Sequence, residues 1–81
     1  MMQQAQMILS NMKYGLTPIQ TKVFKWIKSY ITKNSYAPSY QEIMVAHKLS
    51  SRSHVNRIIV NLEKRKWIAR IPGTARSITI L

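Results

Sequence analysis

The 81-residue chain has no cysteine and no aspartate, and only Glu42 and Glu63 carry acidic side chains. Without cysteine there is no disulfide framework and no thiolate metal site, so the fold must rest on apolar packing. With a single pair of carboxylates, a carboxylate metal cage or paired acid–base catalysis is nearly excluded. His47 and His54 are separated by a stretch containing "KLSS", a turn that breaks the one helix able to put both on a common face. They read as ordinary polar or half-buried histidines and not as a zinc pair. No metal and no cofactor are expected, and the chain is read as a non-enzyme. No apolar run approaches the roughly 18–20 residues of a membrane span. The N-terminus also lacks the basic and long apolar regions of a signal peptide, which makes a reducing cytoplasm the expected location.

Positive charge is what the sequence has in excess. Thirteen lysines and arginines against two acids give a net charge of +11. Such an imbalance opposes compaction by self-repulsion, and a polyanionic partner relieves it. Nucleic acid leads an anionic membrane surface or an acidic protein as that partner. The length allows one small domain, which buries only about 60–65% of its unfolded surface.

Residues 1–15, "MMQQAQMILSNMKYG", differ in composition from the rest. Met2, Ala5, Met7, Ile8, Leu9 and Met12 make a loose helical stripe without a strong cap. It reads as a flexible or weakly helical leader, or as a short helix that pairs with a second copy or a partner. "LTPIQ" then opens a helix, with Thr17 as N-cap and Pro18 at the first helical position, where its missing N–H costs nothing. Ile19, Val23, Phe24, Trp26, Ile27, Tyr30 and Ile31 form its inward face. Lys22, Lys25, Lys28 and Lys33 fall on the other side, to about the helix end at Lys33. Those lysines read as a solvated face ahead of a phosphate-binding one. Pro38 then disfavours helix at Ala37, and Ser39 with Glu42 makes a capping box for a short helix over 40–47. Ile43 and Ala46 are expected inward there, with His47 partly buried and hydrogen-bonded.

After the tight "HKLSS" turn comes "SSRSHVNRIIVNLEKRK", whose Val55, Ile58, Ile59 and Leu62 recur at one helical face. Ser51 suits its N-cap. Two helices joined by so short a turn form a helix-turn-helix. The segments "WIARI" and "SITIL" alternate apolar and polar residues around "PGTAR", with Pro72-Gly73 suited to the centre of a type II turn. The predicted fold is mainly α with a small β-hairpin: a three-helix winged helix-turn-helix, α-α-α-β-β, over residues 16–81.

On the third helix, Ser53, Arg57 and Lys64 lie within about 40° of the pole opposite the apolar stripe. Arg can donate twice to guanine, Asn can pair with adenine, and Ser or His can serve either. The N-terminal part of this helix enters the major groove in such motifs. Ser51, Ser53, His54, Asn56 and Arg57 are therefore the candidate base-reading residues. Lys64, Arg65 and Lys66 at the far end suit phosphates or complement the helix dipole. Lys48 and Arg52 near the turn, and Arg70 and Arg76 in the hairpin loop, complete the phosphate candidates, with the adjacent minor groove a second target for the loop. Each arginine of the loop is equally readable as part of a solvated basic loop.

From Leu16 to Leu81 the chain resembles the N-terminal DNA-binding domain of LexA-type repressors. The shared features are "LTP-Q--V", "Y-PS--EI", "LSS" before the third helix, "L-----I" into the hairpin, and the Gly73-x-x-Arg76 turn. The resemblance implies a winged helix-turn-helix that reads operator half-sites through Ser51, Ser53, His54, Asn56 and Arg57. The last four differ from the usual family types, which implies a different target. Where the family has glycine, in the turn before the third helix and at its end, this chain has Lys48 and Lys66. Each is expected near positive φ, at a cost of about 1 kcal/mol. LexA-type repressors continue into a self-cleaving Ser/Lys domain that also dimerises them; this chain stops at the wing, so no self-cleavage is expected of it. Met1–Met12 is the apolar surface left for a homodimer on a palindromic site.

Three functional readings follow. The first is a sequence-specific double-stranded-DNA-binding transcriptional regulator, a repressor, working at the nucleoid or in a host cytoplasm if phage-encoded. Its helix over 50–66 would read the major groove, and its wing over 70–76 the backbone or minor groove. The second is a protein-interaction module or inhibitor that docks on an acidic partner. The third is a nonspecific nucleic-acid binder driven by charge alone.

Overall fold

The structure is a computed structural model that describes residues 15–81. The expectations for the leader, including pairing through Met1–Met12, fall on residues 1–14 and lie outside it. The described elements run α1 (Pro18–Asn34), α2 (Tyr40–Ala46), α3 (Arg52–Lys64), β1 (Ile68–Ala69) and β2 (Thr79–Ile80).

All three helix starts are fixed by side chains that satisfy otherwise orphaned backbone N–H groups. Thr17 accepts from the Gln20 N–H while the Gln20 side chain accepts from the Thr17 N–H. Ser39 and Glu42 form the same reciprocal pair, and the Ser51 hydroxyl accepts from the His54 N–H. The two ends of α2 and α3 are Schellman turns. Leu49 and Lys48 donate back to the carbonyls of Met44 and Val45, and Trp67 and Lys66 to those of Leu62 and Glu63. Lys48 (φ 54°) and Lys66 (φ 68°) are the left-handed residues, as expected, and Ser35 (φ 64°) plays that part after α1.

The core draws one stripe from each helix: Val23, Phe24 and Ile27; Ile43; and Val55, Ile58, Ile59 and Leu62. Ile68 and Ile78 close it from the hairpin, and Phe24 meets Trp67 edge-on at 5.1 Å between ring centres. The strands are antiparallel, with Ile68 opposite Ile80 and Ala69 opposite Thr79. Three helices with this hairpin make a winged helix-turn-helix.

Four local expectations are corrected. Ala46 is exposed, because the inward stripe of α2 runs through Tyr40, Ile43, Met44 and His47, at i, i+3, i+4 and i+7. Ile19 is 37% exposed and Gln20 buried beside it, since the capping box draws the Gln20 side chain back over the helix start. His47 is half-buried against Trp26, with ring centres 5.3 Å apart, yet neither ring nitrogen meets a protein partner among the described residues. Its pKa is lowered by burial first and by the Lys22 charge second. The strands, finally, are two residues each. The same register places Ile71 opposite Ser77, but the Ser77 hydroxyl intercepts the pairing: it accepts from the Ile71 N–H at 2.9 Å and donates to the Ile71 carbonyl at 3.1 Å.

Candidate nucleic-acid interface

The sequence folds α3 so that its two faces have separate work. Val55, Ile59 and Leu62 are wholly buried and Ile58 nearly so, which fixes the helix rotation and leaves the remaining positions outward. Ser51, Arg52, Ser53, Asn56, Arg57 and Lys64 are exposed, while His54 is half-buried. At one residue per 100° the outward positions split into two stripes. Ser53, Arg57 and Lys64 point directly away from the core. Arg52, Asn56 and Glu63 lie to the side nearest the hairpin. Among the described residues neither Arg52 nor Arg57 is in a salt bridge. Lys48 and Lys66, exposed at the two left-handed positions, bracket the helix.

The hairpin loop, residues 70–78, is built from two turns. In the first, the Thr74 N–H donates to the Ile71 carbonyl at 3.1 Å with Pro72 and Gly73 between them and Gly73 at φ 78°. That matches the type II turn expected from the sequence, in which the third residue needs positive φ. The second turn puts Arg76 itself at φ 54°.

Both wing arginines, expected to lie open to phosphates, are paired within the chain. Arg70 donates from Nε to Glu63 on α3 at 3.2 Å and from Nη1 to the Tyr40 hydroxyl at 3.4 Å. Arg76 grips Glu42 with both terminal nitrogens, at 3.0 and 3.1 Å. Its Nη1 also reaches the Ala37 carbonyl at 3.0 Å and the Tyr30 hydroxyl at 3.3 Å. The guanidinium carbon lies 5.0 Å from the centre of the Tyr36 ring. Arg76, then the Ser39 backbone N–H, hold the Glu42 carboxyl down to about 2 from its usual 4.5. The chain's two carboxylates therefore serve the wing, one on each arm.

This bracing leaves a groove of about 360 Å³ between the start of α2, the start of α3 and the wing loop. Arg52, Asn56 and Arg70 line one part of it, and residues 73–77 another. The structure thus brings Arg52 and Asn56 beside the wing, while Ser53, Arg57 and Lys64 stand on the open face. The periodicity of α3 singled out Ser53, Arg57 and Lys64, but it could not say that the wing lies beside Arg52 and Asn56.

Sequence reasoning missed the wing's supports: Tyr30, Tyr36, Tyr40, Ser77 and both glutamates in this role. One signal was available. In a chain of charge +11, each of two carboxylates is surrounded by candidate arginine partners. Nothing in the local pattern says which arginine each takes, because Glu42 and Arg76 are 34 residues apart.

Among the described residues no group of side chains has the composition of a metal site, and no helix is long and apolar enough to cross a membrane.

Comparison with known proteins agrees with this architecture. The family model for the LexA DNA binding domain matches residues 12–77. The LexA repressor of Thermosipho melanesiensis is 40% identical over 67 residues, which is 82% of this chain and 33% of that protein. That of Erythrobacter litoralis is 36% identical over 82% of this chain and 28% of its own length. That of Caldicellulosiruptor saccharolyticus is 37% identical over 86% of this chain and 35% of its own. The chain spans about a third of the length of these relatives. The matched region takes in the helix-turn-helix and most of the wing, and the chain belongs to the LexA DNA-binding domain family.

Proposed function

We propose that this chain is a sequence-specific binder of double-stranded DNA that regulates transcription as a repressor. The observation that carries the reading is the divided surface of α3. Its apolar stripe is locked in the core, and its N-terminal outer face presents Ser51, Ser53, Asn56 and Arg57 to solvent. Those are the side-chain types that discriminate base edges in the major groove. His54, half-buried beside them, is assigned a peripheral part in the same reading.

Affinity comes chiefly from phosphates. Each phosphate neutralised by a lysine or arginine releases condensed counterions, so binding weakens with salt. Lys48, Arg52, Lys64 and Lys66 are exposed around α3 and take this role. The wing approaches the neighbouring backbone or minor groove through its turn, with Arg70 and Arg76 behind it as supports. The repressor reading follows the names of the LexA repressors the chain resembles. Nucleoid-associated action in the cytoplasm is its natural setting, and a second copy of the chain is the expected partner on a two-fold operator.

Selection of bound duplexes from a random pool, near physiological salt, tests the proposal. An enriched motif is the expected result. A palindrome would assign binding to a pair of chains, and a single half-site to one. A pool that binds but enriches nothing would replace the proposal by nonspecific coating.

A further inference from the structure

We infer that Glu42 is a positioning residue for DNA binding: acting through Arg76, it sets the angle at which the wing meets the duplex. The inference rests on the DNA-binding reading above and adds to it a role for the acidic side chain on the binding side.

The wing has little of its own to hold it. Two paired residues per strand support the loop over 70–78, and so short a hairpin is not independently stable in water. Arg70 ties the first arm of the loop to Glu63 and Tyr40, and the cluster around Arg76 aims the second. Its guanidinium meets both oxygens of Glu42, and this two-point fork fixes direction as well as distance. The Ala37 carbonyl, the Tyr30 hydroxyl and the Tyr36 ring close the remaining sides. One side chain of the wing is thereby tied to the end of α1, the α1–α2 connection and the start of α2.

Both ends of the tie are themselves held. Glu42 accepts from the Ser39 N–H at 2.8 Å within the α2 capping box and from the Tyr30 hydroxyl at 3.2 Å. Arg76 sits at φ 54°, a left-handed conformation less favourable for a residue with a side chain than for glycine, and its ties help to hold it there. A free phosphate-seeking arginine needs none of this. α2 is packed on α3, so a wing tied to α2 keeps a set angle to the reading helix.

Charge gives the test its direction. Removing a carboxylate from a surface that meets a polyanion tightens binding on electrostatic grounds. A positioning role demands the opposite. In Glu42→Gln the new amide oxygen still accepts from the Ser39 N–H, so the capping box survives. This variant should bind the selected duplex about tenfold more weakly than the unmodified chain, with an unchanged helical circular-dichroism spectrum.

Arg76→Lys keeps the charge and loses the fork, and it should weaken binding similarly. Adding Glu42→Gln to Arg76→Met should cause no further loss, and Arg76→Met should leave the slope of affinity against salt unaltered. In free protein, amide resonances of residues 73–77 should shift in Glu42→Gln while those of 55–62 stay in place. Equal or tighter binding by Glu42→Gln, full binding by Arg76→Lys, or a salt slope shallower by about one charge in Arg76→Met would each overturn the inference alone. An unmodified chain that binds no duplex at low salt would overturn the DNA reading and this inference with it.

Discussion

The third helix and the wing are held in place by different physics. α3 is fixed by four apolar side chains driven into the core, and its outward polar residues are left in solvent. The wing contributes Ile68 and Ile78 to the core, with Ile80 packed against it, and its loop is tied to the helices by polar contacts, Arg70 to Glu63 and Arg76 to Glu42. Hydrophobic burial fixes a helix by its rotation, because one stripe must face inward. A loop over 70–78 with an exposed tip has no such stripe, so directional hydrogen bonds take over. Both acidic side chains of this strongly positive chain lie where they pair with wing arginines.

The contrast can be broken most severely from the core side. Leu62→Ala should cost about 2–5 kcal/mol, since it opens a cavity in a small core. That is a large part of the stability of a domain this size. Urea denaturation should show the loss, and duplex binding should fall with the folded fraction. A loss below 1 kcal/mol would mean that α3 is not held by its apolar stripe. Arg57→Ala should do the reverse and leave the denaturation midpoint in place. Its effect, about 1–3 kcal/mol of lost discrimination between preferred and altered duplexes, falls on sequence preference. Preserved preference would remove Arg57 from the base-reading set.

Lys66→Gly sharpens the comparison at the far end of α3. Glycine relieves the left-handed strain, so stability should rise by roughly 0.5–1 kcal/mol. Affinity should fall equally for all duplexes, with a salt slope shallower by about one charge. A destabilised variant would show that the lysine stem contributes packing that outweighs the strain. The smallest effect belongs to the wing tie. Glu42 has its pKa depressed in the folded chain, to about 2 from 4.5. Its pairing therefore contributes stability above the usual value and loses it as pH falls from about 4.5 through 2. The pair is partly exposed, so the change should be small. Thermal midpoints followed from about pH 5 to pH 2 should fall less in Glu42→Gln than in the unmodified chain. Parallel curves would show that the ion pair gives no pH-linked stability.

Local rules carried most of the fold in the sequence. Thr17, Ser39 and Ser51 announce helix starts because a hydroxyl there satisfies a backbone N–H the helix cannot. Val55, Ile58, Ile59 and Leu62 announce the buried face of α3 because a period of 3.6 permits only one. Lys48 and Lys66 were placed at positive φ from the family resemblance. Local rules misplaced Ala46 and Ile19, whose burial depends on how a short helix or a helix start meets its neighbours.

The sequence alone therefore determined the elements, the inward face of α3 and the type of turn at Pro72-Gly73, since each follows from contacts within a few residues. It also listed the side chains able to read or neutralise DNA. Only the tertiary structure decided which of those cations are left open and which are used internally. Arg52 and Arg57 remain outside the salt bridges, while Arg70 and Arg76 are paired. The reason is physical. An ion pair forms between groups brought together by the whole fold, and its directional geometry leaves no periodic trace along the chain.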